Sequence, residues 1–117
     1  MKHIIFISIL LMAFNQLKAQ NPNSSTNANA NALANKIAKK MQDTLGLNAS
    51  QRNQIKDVNL QLHNEKMAAR AQYINRDSVA IRLQQIENKR DALYRPILTE
   101  QQFGMYRQKK RNLVSAN

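Results

Sequence analysis

The 117-residue chain has no cysteine, only two glycines, two prolines and two histidines, and seven acidic side chains against 18 Lys and Arg. Without cysteine there are no covalent staples, even in an oxidising compartment, and no lipid-modified cysteine at an N-terminal cleavage site. Packing alone has to hold the fold. With so little glycine there is no glycine-rich phosphate loop, and the seven acids are scattered rather than paired. No serine has a histidine base at a recognisable spacing, so nothing points to catalysis. The period-2 alternation of a strand is absent as well.

What is present begins with an address. Lys2 and His3 open the chain, residues 4–14 are apolar or small, and residues 15–19 are a polar tail ending in Ala19. That is the order of a secretory signal peptide, and the apolar run is too short to span a bilayer. Cleavage after Ala19, with Gln20 as the new terminus, is the expectation; an uncleaved anchor is the alternative. Removing residues 1–19 takes away Lys2 and Lys18, leaving 16 basic and 7 acidic side chains in 98 residues, a charge of +9. An excess of this size usually prompts a nucleic-acid reading. Export argues against it and favours acidic surfaces: unfolded or acidic proteins, anionic lipid, or polysaccharide. A small unstapled domain often completes its core with a second copy, so a homodimer is expected.

Residues 20–31 are Asn, Ser, Thr and Ala around Pro22, without charge or a large apolar side chain, and read as a flexible Asn-rich leader. From Ala32 the pattern is helical, giving an all-α, four-helix hairpin assembly over 32–113 and a short tail at 114–117. The first helix, 32–45, carries Leu33, Ile37, Met41 and Leu45, and Gly46 ends it. The second covers 48–74. A break at 75–78, with Asp77 as its cap, leads to a third helix over 78–95 presenting Val79, Leu83, Ile86 and Leu93. Pro96 closes that helix. The fourth starts at Thr99 and presents Phe103, Tyr106 and Leu113, with Lys109, Lys110 and Arg111 near its end.

Two stretches repeat one pattern. Leu47-Asn48-Ala49-Ser50-Gln51 precedes the second helix and Leu98-Thr99-Glu100-Gln101-Gln102 the fourth. In each, the Asn or Thr can cap the first free amides, and the Gln three residues later can reach back to the cap's own amide. Leu98 can staple against Phe103. This doubled motif resembles the Leu-Thr-x-x-Gln pair of the Spy/CpxP family of periplasmic proteins, with Asn48 in place of one threonine. The resemblance covers about residues 32–113. It implies a cradle-shaped antiparallel dimer of four-helix chains. Its members act as ATP-independent chaperones in envelope stress; some restrain an envelope sensor protein, and relatives bind zinc, nickel or cobalt. The six motif residues Leu47, Asn48, Gln51, Leu98, Thr99 and Gln102 read as helix caps rather than client contacts.

The second helix carries more than a core face. Ile55, Val58, Leu62, Ala69 and Tyr73 form that face. Leu60, Met67, Ala71 and Ile74 form a second apolar stripe, bordered by Lys56, His63 and Arg70 with Arg52 beyond. This stripe is either a client surface, where Met67 adapts and the cations attract acidic partners, or a buried seam. Arg90 falls on the apolar face of the third helix. A snorkelling stem is the expectation there, with a buried pair to Glu87 or Asp57 as the alternative. His63 and Met67 amount to half a soft-metal site, too few ligands to assign a metal, and no cofactor is implied. Tyr73, Tyr94 and Tyr106 read as packing residues.

Overall fold

The computed structural model describes residues 24–115, which form four helices and no strand. The signal-peptide reading of 1–19 and its cleavage site lie outside these residues. Helix α1 is Ser24–Leu45, α2 Ala49–Gln72, α3 Arg76–Tyr94 and α4 Glu100–Val114.

Helix α1 starts well before Ala32, so residues 24–31 are helical where a flexible leader was expected. The reason is alanine. It is the best helix former, and its methyl suffices for burial where two helices approach closely. Ala30 and Ala34 are both buried, and they continue the stripe of Ile37, Ala38, Met41 and Leu45 by whole turns. The approach is close enough for the Asn59 amide on α2 to donate to the Ala34 carbonyl at 3.4 Å.

Gly46 ends α1 at φ +70°, a left-handed conformation that strains any residue with a Cβ. It lets the Leu47 amide turn back onto the Gln42 carbonyl at 3.3 Å. Helix α3 is capped by Asn75, whose side chain accepts from the amides of Asp77 (2.8 Å) and Ser78 (3.4 Å). Asp77, expected as the cap, lies inside the first turn, where its charge favours the helix dipole instead.

Helix α1 runs antiparallel to both α2 and α4, and α3 folds back along α2. The pairings Asn59–Tyr94, Lys66–Glu87 and Glu65–Lys89 set the register of the α2–α3 hairpin. Helix α4 begins beside the α1–α2 turn and passes Lys40, whose ammonium donates to the Asn112 carbonyl at 3.0 Å. The main core gathers Ile37, Met41, Leu45, Ile55, Tyr94, Leu98, Tyr106 and Leu113 at the motif end. Tyr94 and Tyr106 meet there edge to face, their centroids 5.1 Å apart. A smaller cluster of Leu62, Ala69 and Ile86 continues up the hairpin. The large buried side chains are concentrated towards the motif end.

Candidate functional site

Both capping boxes are closed. Asn48 Oδ1 accepts from the Gln51 amide at 2.8 Å, and Gln51 Oε1 accepts from the Asn48 amide at 3.1 Å. Thr99 and Gln102 repeat the exchange at 3.2 and 3.0 Å. The glutamines then do something capping does not require. Gln51 Nε2 donates to Gln102 Oε1 at 2.7 Å and to the Ile97 carbonyl at 3.0 Å. Gln102 Nε2 points back across the pair, 3.4 Å from the Gly46 carbonyl and 3.5 Å from that of Leu45. Gly46 and Ile97 each stand two residues before their cap, so the two motifs clasp one another about a local pseudo-twofold axis. Leu47 and Leu98 are buried beneath the clasp. The motif residues therefore lock the starts of α2 and α4 together as well as capping them.

Midway along the hairpin lies a buried polar cluster. Arg90 is only 5% exposed and does not snorkel. Its guanidinium grips Glu87 through Nε (2.7 Å) and Nη2 (3.2 Å), and Nη1 donates to Asn59 Oδ1 (2.9 Å) and the Tyr94 hydroxyl (2.8 Å). Tyr94 also donates to Asn59. Lys66 closes on the other side of Glu87 at 2.6 Å. Burial alone would raise the Glu87 carboxyl; the bonds from Arg90 and Lys66 outweigh it and hold the group below its ordinary value. Burial pushes the Tyr94 phenol up to about 12, so it remains a neutral donor. Asn59, absent from the sequence-derived sites, is the hub. Its signal is its place one turn after Ile55, at the edge of the core face.

Above this cluster is a slot. Its inner part, about 230 Å³, is lined by Leu33, Ala34 and Ile37 of α1, His63, Lys66 and Arg70 of α2, and Val114 of α4, with Asn59 and Arg90 at its base. It adjoins an outer groove of about 590 Å³ that shares Lys66, Arg70 and Val114 and adds Leu83, Glu87 and Arg111. The last turns of α2 and the first of α3 run on past this slot to the hairpin tip. All the exposed large hydrophobic side chains among the described residues fall on this stretch: Met67, Tyr73, Ile74 and Ile81. Ile74 is 104% exposed. Arg70, Arg76 and Arg82 are exposed beside them, with Asp77 the one acid between residues 66 and 86.

The second stripe of α2 is thus divided. Lys56, Leu60 and His63 are half-buried, while Arg52, Met67, Arg70 and Ile74 are exposed. Tyr73, assigned to the core face, is exposed at the tip. His63 and Arg70 turn into the slot. Ile81, Arg76 and Arg82 join the exposed group from α3, and no reading of α2 alone reaches them. No group of three or more His, Asp or Glu among the described residues is placed to hold a metal ion. No helix there is long and apolar enough to cross a membrane. No family model, curated protein or solved structure matches the chain.

Proposed function

We propose that this protein is a periplasmic, ATP-independent holdase of the Spy/CpxP kind, working as an antiparallel dimer on unfolded or acidic client proteins. The observation that carries the reading is the hairpin tip, where Met67, Tyr73, Ile74 and Ile81 stand exposed among Arg70, Arg76 and Arg82. Isolated apolar side chains on a surface are ordinary; a cluster confined to one end of a helical hairpin favours contact with a partner. The chemistry suits promiscuous capture. Met67 adapts its shape, Tyr73 offers an amphipathic ring, and the arginines draw in acidic chains before apolar contact forms. The clasped motifs act at the opposite end, as the rigid base of the hairpin.

The test is aggregation of a chemically unfolded client with and without the purified mature protein, in the absence of ATP. Suppression near equimolar ratio is expected. Ile74→Asp with Ile81→Asp should weaken it several-fold at unchanged melting temperature, since neither side chain is buried. Indifference of the unaltered protein at molar excess would end the holdase reading.

A further inference from the structure

The slot beside the buried cluster has a composition that client capture at the tip does not use. One wall is aliphatic, made of Leu33, Ala34, Ile37 and Val114. The rim carries His63, Lys66, Arg70 and Arg111, and its one acid is Glu87. Glu87 is already held by Arg90 and Lys66, so its charge is spent. Among the described residues Arg70 makes only a long contact to the Met67 sulfur at 3.6 Å, and Arg111 pairs with no carboxylate. Of the five N–H groups of Arg90, which lines the base of the slot, four are taken by Glu87, Asn59 and Tyr94. The slot therefore joins one aliphatic wall to a rim with spare guanidinium charge.

We propose that this slot binds one molecule of a single-chain aliphatic carboxylate, a free fatty acid. The tail lies against Leu33, Ala34, Ile37 and Val114, and the carboxylate takes the rim between Arg70 and Arg111. Planar guanidinium groups bind carboxylate in a two-pronged geometry, and the charge is complementary. The inner chamber, about 230 Å³, suits one chain of medium length rather than the paired tails of a phospholipid. This site is separate from the holdase reading and stands without it.

The experiment is isothermal titration of the full mature protein with decanoate below its micellar concentration, with decyltrimethylammonium and butyrate as matched probes. Decanoate should saturate at one per chain. The cation with the same tail, and the anion without it, should bind at least about tenfold more weakly, a difference of about 1.4 kcal/mol. Arg111→Glu, an exposed change outside the tip, should weaken decanoate by a similar factor. Val114→Trp should block the chamber. Client protection should persist in Arg111→Glu, which separates failure of this site from failure of the holdase. Should Val114→Trp lower the helix content, Arg111→Glu alone decides. Absence of saturable decanoate binding, several equivalents per chain, equal binding of decyltrimethylammonium, or undiminished affinity in Arg111→Glu would each overturn the proposal.

Discussion

Arg90 is tolerated almost out of solvent because its charge is shared among three partners rather than one. Removing a single partner leaves a buried cation exposed to the low-dielectric interior, and such losses cost about 3–5 kcal/mol. Lys66 shares the same carboxylate, so Glu87→Ala leaves two cations facing each other and should cost within that range, read from urea unfolding. The same carboxyl makes stability depend on pH. Its pKa is held below the ordinary 4.5 by Arg90 and Lys66 against the opposing effect of burial. A depressed folded value means its contribution is complete above 4.5 and disappears as pH falls through the folded value. Acidification from about pH 5 to about pH 3 should therefore lower the urea midpoint. Glu87→Gln should start lower at neutral pH and show a shallower fall. Some slope should survive through Asp91, whose pKa is also lowered: burial opposes, but Lys110 and Tyr106 bind it at 3.0 and 2.8 Å. An unaltered slope in Glu87→Gln would place the pH sensitivity elsewhere.

Two helix starts are joined by side-chain hydrogen bonds. Thr99→Ala removes one cap bond and should cost about 1 kcal/mol. Gln51 and Gln102 differ in kind, because each closes its own box and donates to the other's loop. Their exchange predicts a double-mutant coupling of about 1 kcal/mol between Gln51→Ala and Gln102→Ala, measured by chemical unfolding. Additive losses would mean that the clasp contributes geometry but little energy. The first part of α1 offers an independent check. Ala30 is buried and Ala28 exposed, so Ala30→Leu should overpack the α1–α2 contact at about 1–3 kcal/mol. Ala28→Leu should be close to neutral.

Across the whole molecule, apolar packing and exposed apolar surface are segregated. The Tyr94–Tyr106 core and the clasp occupy one end; the bare tip of the α2–α3 hairpin occupies the other. Positive charge extends the reach of that tip. Arg70→Glu with Arg76→Glu should slow client capture chiefly at low salt, since the long-range part is screened within about 10 Å at 0.1 M. Folding should persist, because both side chains are exposed and Arg76 begins α3, where an acid favours the dipole. Stopped-flow capture at two ionic strengths reads this directly. Equal slowing at both would argue for a local contact rather than attraction at a distance.

The starts of α2 and α4 and the end of α1 follow from residues one to three positions apart: Asn48 with Gln51, Thr99 with Gln102, and Gly46 behind Leu45. Such caps are local physics, and the sequence by itself determined these three, whereas the start of α1 and the cap of α3 fell elsewhere than expected. The sequence also carried the main core, because Ile37, Met41, Ile55, Tyr106 and Leu113 keep helical spacing. The tertiary structure decided what depends on partners far along the chain. Gln51 meets Gln102 across 51 residues, and Arg90 meets Asn59 across 31. Asn59 becomes a buried hub only when α1 and α3 close over it, and Arg90 is drawn inward only because Asn59, Glu87 and Tyr94 converge there. Ala30 fell in a stretch read as a flexible leader, yet the fold buries its methyl. Which part of the α2 stripe stays exposed was settled the same way. Helix α4 ends at Val114, beside the slot, and the hairpin runs on beyond it uncovered.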